Sequence, residues 1–550
     1  MQKKRRHLPL RQLLNKAGTA AQAIKPVFMM SPLSVSQYLE PGAIEFDILL
    51  IDEASQVRPV EALGAAARCR QMIVVGDDKQ MPPTQFFGVT IGDIDLDDGE
   101  SPAMQAGDVE SILGLCIARN MPQRMLRWHY RSKHESLIAV SNREFYENRL
   151  YVIPSAYRTG ELGVKWHPIE GGMFKNGKNE VEAKVVAEHI MLHAKERPKW
   201  TLGVAAFSVS QRDAIIKELE ALRKQDNSCE NFFDPNAPDP FFVKNLENVQ
   251  GDERDVIFVS VGYGPGEDGK VSLNFGPVSS SGGERRLNVL MTRAKRRCEM
   301  FSSMRAEDID VNRVTGKGPV VFREYLRFAQ NGAVVTGADS GASGDRLVDV
   351  LQKQLAAKGY EVQTHVGIAG VFVDLAVVDP DNSDRYLLGI DIDGESYKAS
   401  RSARDRDRTR HAVLGSQGWK MHRIWSLEWF KRPKEKLNEL VSAIEDARRA
   451  KSASSSPGNK EYQVQRTPGG PDPLSTAVAD ALPVPDRPVT APPSDHSQGP
   501  SGNDAGGGSL FGEIAGSLVK AGLAAATAQK GKGLEAAIKT LGSDKKGGKK

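Results

Sequence analysis

The chain is poor in cysteine, with four in 550 residues (Cys69, Cys116, Cys229 and Cys298) and no C-x-x-C pair. That spacing excludes a disulfide framework and a cysteine-rich zinc site, and it fits a reducing cytoplasm. No apolar run reaches the roughly 18 residues of a membrane span, and the basic start from Met1 to Lys16 lacks the apolar core of a secretory signal. No membrane partner is expected. An excess of one charge is also missing. The 74 Lys and Arg against 70 Asp and Glu leave +4, so any nucleic-acid site must be a local patch rather than a global field. The most informative absence is upstream of the acidic pair Asp52-Glu53, where no G-x-x-x-x-G-K-[ST] phosphate-binding loop occurs.

What is present is ordinary for a water-soluble chain, with 40% hydrophobic and 26% charged residues. The length predicts several domains rather than one core. The short apolar runs 46–51 and 71–76 read as buried parallel strands, separated by a helix over 59–70. The acidic, Gly-rich stretch 90–107 reads as a surface loop. A second α/β stretch begins near Arg119. Its strands are expected at 202–207, 241–244, 256–261 and 298–302, and its helices after Ser132, Glu180, Ser210 and Glu284. Small residues at 336–343 suggest a linker, and a third α/β unit follows over 344–449. After Lys451 the composition collapses to Ser, Pro, Gly and Ala, which predicts a disordered tail over 451–550. A docking helix or phosphate-touching arm within 509–540 is the alternative for that tail.

The strand over 46–51 delivers adjacent carboxylates, Asp52 and Glu53. The first can hold Mg²⁺, and the second can accept a proton from an attacking water. Alone this is weak, because acids at strand ends also sit at helix N-termini. The next strand, however, ends in Gly76-Asp-Asp-Lys-Gln80, whose amide can sense a γ-phosphate, and Pro82-Pro83 stiffen the turn. Arg131 and Arg293 can serve as arginine fingers that stabilise the spreading charge of phosphoryl transfer. One arginine would mean little, since a solvated or salt-bridged arginine is the usual case. Five spaced motifs in one order are specific.

These residues resemble the superfamily 1 helicases, in the branch of the nonsense-mediated-decay and Okazaki-fragment helicases, over about residues 25–305. Asp52-Glu53-Ala-Ser looks like motif II, Gly76–Pro83 like motif III and Trp128–Ser132 like motif IV. Glu247–Ser260 looks like motif V and Arg285–Arg296 like motif VI. The resemblance implies two RecA-like domains, here a partial first one (1–118) and a complete second one of P-loop-NTPase type (119–335). It implies ATP with Mg²⁺ between them and single-stranded nucleic acid, expected to be DNA, across them. Asp52 would bind Mg²⁺, Glu53 would activate water, Gln80 would couple nucleotide state to strand grip, and Arg131 and Arg293 would contact the γ-phosphate. Gly251 and Glu253 would lie near the nucleotide sugar and the strand, while Ser31 and Pro32 would touch the strand. The family needs a phosphate-binding loop, so three accounts stand: a piece of a longer helicase, one half of a split protein whose partner supplies the loop, or a decayed ATPase.

In the third unit, Asp374 sits mid-strand, and Asp391 and Asp393 are i and i+2, so they share a face. Adjacent strands would bring Asp374 beside Asp391, a fair Mg²⁺ site, although a turn acid and a capping acid explain the same residues. The pattern of Val373-Asp374-Leu, Gly389-Ile-Asp391-Ile-Asp393-Gly, Tyr397 and Gly418-Trp419…His422-Arg-Ile-Trp425 resembles a very-short-patch-repair-like restriction-endonuclease domain. By that resemblance Asp374 and Asp391 carry Mg²⁺ or Mn²⁺, with Asp393 nearby. Lys398 stands where the family commonly has histidine, and Asp345 and Asp349 are candidates for a further acid. Arg401, Arg404 and Arg408 share a helical face and can meet DNA phosphates, or can be a salt-bridged solvated face. The expected function is the C-terminal part of an ATP-dependent helicase with a nuclease-like domain, in repair or defence. The alternatives are an inactive nucleic-acid-binding remnant, or a metal-dependent endonuclease with a vestigial ATPase.

Overall fold

The structure, a computed structural model, describes residues 8–83, 110–158, 160–332, 345–394, 397–398 and 402–454. The predicted loop at 90–107, the linker, Arg401 and the tail beyond 454 lie outside the described residues. The described residues divide into two compact units, one up to Arg124 and one from Met125 onward.

The first unit contains helices α1 (Leu10–Ile24), α2 (Pro32–Tyr38), α3 (Pro59–Ala66) and α4 (Ile112–Ala118), with strands β1 (Phe46–Ile51) and β2 (Cys69–Val74). Helix α2 starts where it does because the Ser31 hydroxyl accepts the Ser34 N–H and Pro32 fits the first turn. The two strands form a parallel sheet in the register Phe46↔Cys69 to Ile51↔Val74. Alternation turns Leu49, Ile51, Met72 and Val74 toward Ala62, Ile112 and Leu115. The opposite face is open, with Ile48 54%, Leu50 60% and Ile73 41% exposed. The expectation of buried strands thus holds on one face only. The described residues of this unit provide no layer for the second face, which all-parallel sheets normally cover.

The second unit holds a five-stranded parallel sheet in the order β5-β9-β8-β6-β7. Its strands are β5 (Gly163–Pro168), β6 (Leu202–Ala206), β7 (Phe242–Asn245), β8 (Arg254–Ser260) and β9 (Ala294–Ser302). Helices α6 (Glu180–Glu196) and α7 (Val209–Gln225) bury Val186, Ile190 and Ile215 against Val204, Phe258 and Phe301. Helices α5 (Ser136–Tyr146), α8 (Gly283–Met291) and α9 (Lys317–Gln330) complete the layer order. Strand β5 carries no apolar signal because Lys165 and His167 occupy its face, where His167 meets the Glu299 carboxylate at 2.7 Å. Short preceding strands β3 (Trp128–His129) and β4 (Tyr151–Val152) pair in parallel.

Helix α6 starts at an Asn179 side chain that accepts the Glu182 N–H. Glu182 is fully buried, accepts from Ser260 Oγ at 2.6 Å and from Gly262 N at 2.7 Å, and is pushed by burial up to about 8. A carboxyl whose folded pKa is raised stabilises fully below its unfolded value of 4.5, and that contribution is lost as pH rises through about 8. Each tenfold change in proton affinity is about 1.4 kcal/mol. The Glu182→Gln variant should therefore flatten the fall in melting temperature between pH 5 and pH 8. An unchanged slope in thermal melts would show that this carboxyl does not titrate there.

The third sheet has the order β10-β11-β12-β13, built from β10 (Val362–Val366), β11 (Val373–Asp379), β12 (Asn382–Ile392) and β13 (Met421–Ile424). The first two junctions are antiparallel and the last is parallel. Helix α10 (Arg346–Ala356), capped by Asp345, and helix α13 (Pro433–Ser454) cover one face through Leu351, Leu355, Leu440 and Ile444. The other face packs Val373, Ala376 and Tyr386 against Leu414 of α11 (Arg410–Ser416), Trp419, and Ile153 and Ala156 from the stretch after β4. Val152 N donates to Ala369 O at 2.9 Å, and Tyr386 N donates to Ala156 O at 2.9 Å. The stretch 151–157 of the second α/β unit, which the sequence separates from the third by a linker, therefore packs into the core of the third sheet.

Candidate active sites

In the first unit, Asp52 and Glu53 leave β1 exposed to solvent. Glu53 takes a left-handed backbone at φ 51, which is uncommon for a side chain other than Gly, Asn or Asp. The turn is held by Ala54 N donating to Val75 O at 2.9 Å and by Glu53 N donating to Asp52 Oδ1 at 2.9 Å. A Cβ on Gly76 would stand 3.0 Å from Ser55 N and 3.1 Å from Ala54 N, so glycine lets the two strand ends approach without the backbone having to give. Gln80 Nε2 donates to Asp77 Oδ2 at 2.9 Å, which fixes its amide beside the end of β2. Motifs II and III thus converge on one strand-end surface, with both Asp52 and Glu53 open to a ligand.

In the second unit, the turn after β3, the loop before β8 and the start of β9 converge. Arg131 Nε meets Glu253 Oε2 at 2.8 Å, and Lys295 Nζ meets Glu253 Oε1 at 2.9 Å. Burial works to raise the Glu253 carboxyl, but Lys295, Arg131 and Arg293 overcome it and hold it below its ordinary value. Arg293 is buried and braced by the Val289 carbonyl at 2.8 Å. Gly251, at φ +83, has open space around its missing Cβ. Beside them His129 accepts a bond with Ser132 Oγ at 2.8 Å, and burial and Arg131 push it down to about 4. Arg131 and Lys295 thus pair with one carboxylate that also feels the charge of Arg293, an arrangement suited to an incoming polyanion. Lys295, which sequence reading left within motif VI without a role, is part of this cluster.

In the nuclease-like sheet, the register Leu375↔Ile390 sets Asp374 opposite Asp391. Asp374 accepts from Ile392 N at 2.8 Å and is raised to about 6, by burial first and then by Asp391 and Asp345. Asp345, which caps α10, therefore lies within electrostatic reach of Asp374. Asp391 has a different partner from the one expected. Arg410 grips it through Nε to Oδ2 at 3.1 Å and Nη2 to Oδ1 at 3.0 Å, and His411 stands 3.4 Å from Oδ2. Burial disfavours charge on Asp391, yet His411 and Arg410 keep it below the usual carboxylate range. Asp393 turns away from this pair and takes both the N–H and the hydroxyl of Ser426, at 2.7 and 2.9 Å, at the start of helix α12 (Ser426–Lys431). Lys398 is exposed.

Among the described residues, no group of three or more His, Cys, Asp or Glu side chains is arranged to hold a metal. With both Asp391 oxygens on Arg410, the residues as arranged do not fit a divalent ion. Of the basic run, Arg404 precedes a π-turn at Asp405–Thr409 and Arg408 lies within it. There Asp407 pairs with Arg406 at 3.2 Å and Arg423 at 2.8 Å. Arg406 also lies 4.1 Å from the centre of the Tyr397 ring.

Residues 31–86 and 110–305 match AAA domain families, and residues 348–444 match the restriction-endonuclease-like family REase_MTES_1575. A Mycoplasma genitalium protein described as "Uncharacterized ATP-dependent helicase MG140" is 31% identical over 442 residues, covering 76% of this chain and 38% of that protein. Its Mycoplasma pneumoniae homologue is 30% identical over 425 residues, covering 72% of this chain and 37% of that protein. The mouse "5'-3' DNA helicase ZGRF1" is 26% identical over 277 residues, 48% of this chain and 13% of that protein. The chain thus spans under two fifths of the length of the Mycoplasma relatives it matches. Among the described residues, no helix is long and apolar enough to cross a membrane.

Proposed function

We propose that these AAA helicase-type domains, with the restriction-endonuclease-like domain that follows them, form the C-terminal part of an ATP-dependent nucleic-acid helicase. The substrate strand is single-stranded DNA, and the setting is DNA repair or defence against foreign DNA. The observation that carries this reading is the convergence of Arg131, Arg293 and Lys295 on Glu253, in a chain that also presents the exposed pair Asp52 and Glu53 at a strand end. Asp52 holds Mg²⁺ of the nucleotide, Glu53 takes the proton of the attacking water, and Gln80 senses the γ-phosphate. Arg131 and Arg293 meet the charge that spreads in phosphoryl transfer. Glu253 balances those cations until the phosphate arrives.

The phosphate-binding loop comes from a further segment of a longer protein or from a partner chain. Ile48, Leu50 and Ile73 offer that α/β segment an apolar face to cover. The test is ATP hydrolysis by the purified chain with and without single-stranded DNA. Strand-stimulated phosphate release supports the reading, whereas salt-sensitive DNA binding without turnover makes the chain a binding module. For the nuclease-like domain, nicking of plasmid DNA in Mg²⁺ or Mn²⁺ should disappear in Asp374→Ala. Nicking that survives this change would remove the domain's carboxylate pair from the chemistry.

A further inference from the structure

Strand β5 stands at the edge of the five-stranded sheet, and the second half of α6 lies beside it, with the His167 and His189 rings 5.1 Å apart. Next to these rings is a cavity of about 190 Å³. That is room for about six waters at roughly 30 Å³ each. It is below the roughly 300 Å³ at which pockets for drug-sized ligands begin. A tetrahedral oxyanion with a few waters fits such a space, and a nucleoside does not.

The lining is cationic. Lys165, Arg197 and Arg297 face a single carboxylate, Glu299. Even with every histidine neutral, these four groups carry a net charge of +2. The carboxylate is already occupied, because His167 Nε2 meets its Oε2 at 2.7 Å and Arg297 Nη1 donates to its Oε1 at 3.1 Å. Burial works to raise the Glu299 carboxyl, but His167 and Arg297 overcome it and hold it at about 2. Arg297 is occupied as well, with Nε donating to the Glu161 carbonyl at 2.7 Å and Nη2 to the Gly160 carbonyl at 3.4 Å.

Lys165 is different. It is half-buried and lies opposite Glu299 in the β5–β9 register. Among the described residues its ammonium makes no hydrogen bond or ion pair. Burial, then Arg297 and Arg197, act against its charge, while Glu299 and Asp384 oppose them. Among the described residues the Arg197 guanidinium, at the end of α6, meets only Glu196 at 4.0 Å and the Trp200 ring. A half-buried ammonium without a partner, near two guanidinium groups, is an unfavourable arrangement that an added anion relieves. The remaining histidines are walls. His193 Nε2 donates to the Trp200 carbonyl and His189 Nδ1 to the Val185 carbonyl, each at 2.9 Å. Because no described group of His, Cys, Asp and Glu side chains is arranged to hold a metal, this lining fits an anion rather than a cation.

We propose that this cavity binds a phosphate-class oxyanion, with Lys165 as its principal ligand and Arg197 as the second. The Arg131–Glu253–Lys295 cluster lends no residue to the lining, so the site is additional to the nucleotide chemistry proposed above. Free inorganic phosphate and a backbone phosphate of a nucleic-acid strand present the same oxygens to such cations.

The experiment is calorimetric titration of the purified chain with inorganic phosphate, against chloride at matched ionic strength. Binding should saturate in the parent chain. Lys165→Gln should weaken it by about 10- to 100-fold, the fold-change of one lost charge-assisted hydrogen bond. Arg197→Gln, at the exposed end of α6, should weaken it in the same direction. Glu299→Gln removes the one negative charge of the lining and should tighten it, a gain that a damaged fold would not produce. No phosphate binding by the parent chain, or equal affinity in the parent and Lys165→Gln, overturns the proposal. Weakening in Arg131→Gln but not in Lys165→Gln also overturns it, because the cation cluster is then the seat. A single-stranded oligonucleotide identifies the source. Oligonucleotide binding weakened in Lys165→Gln supports the site with a strand phosphate as its ligand. Oligonucleotide binding unchanged while phosphate binding falls supports it with the free anion.

Discussion

Replacing Trp419 with alanine should destabilise the second unit by about 3–5 kcal/mol, the usual cost of truncating a buried aromatic side chain. Trp419 is 5% exposed and stacks on Tyr386 with ring centres 5.2 Å apart. Its Nε1 donates to the Pro154 carbonyl at 2.9 Å, across 265 positions of sequence. Truncation removes the stack, opens a cavity in the core shared by the nuclease-like sheet and the stretch 151–157, and leaves the Pro154 carbonyl without this donor. Calorimetry should show the transition of the nuclease-like sheet moved down, because that sheet loses its anchor on the stretch 151–157. A variant that melts at the parent temperature would show that this core does not depend on Trp419.

Exchanging Glu53 for glutamine should lower strand-stimulated ATP turnover by about 10²–10⁴-fold, the usual contribution of a positioned general base, while the melting temperature stays unchanged. The substitution is nearly isosteric. Gln56 Nε2 donates to Glu53 Oε2 at 3.0 Å, and the amide oxygen of glutamine can accept the same bond. The side chain is exposed, so no core is disturbed, and only the capacity to take a proton is removed. Turnover that persists in Glu53→Gln would move the water-activating role to another residue. No turnover in the parent chain, with binding intact, would mean that the loop must be supplied by another segment.

Local pattern was enough to read the helices after Ser132, Glu180, Ser210 and Glu284 and the strands at the core of the second sheet. Their apolar periodicity and their Asn179 and Ser208 caps act over a few residues. Strand β5 escaped notice for the opposite reason. Lys165 and His167 break its apolar pattern, and only the Glu299 carboxylate on β9, paired beside them, explains why they lie on a sheet face. The pairing of Asp374 with Asp391 followed from the two strands alone. The partner of Asp391 did not, because Arg410 lies in a run of alternating arginines and aspartates whose pairings no spacing rule distinguishes. Asp393 shows the same limit. It shares a strand face with Asp391 by alternation, yet it leaves the end of β12 and caps α12 through Ser426.

The sequence by itself determined the order and identity of the motifs, the α/β character of each unit and the carboxylates that stand at strand ends, because these depend on neighbours a few residues apart. Only the tertiary structure decided which cation each carboxylate faces and that the stretch 151–157 packs into the core of the third sheet. Those contacts join residues up to 265 positions apart, and at that separation packing and the cost of leaving a buried charge unpaired, rather than periodicity, select the partner.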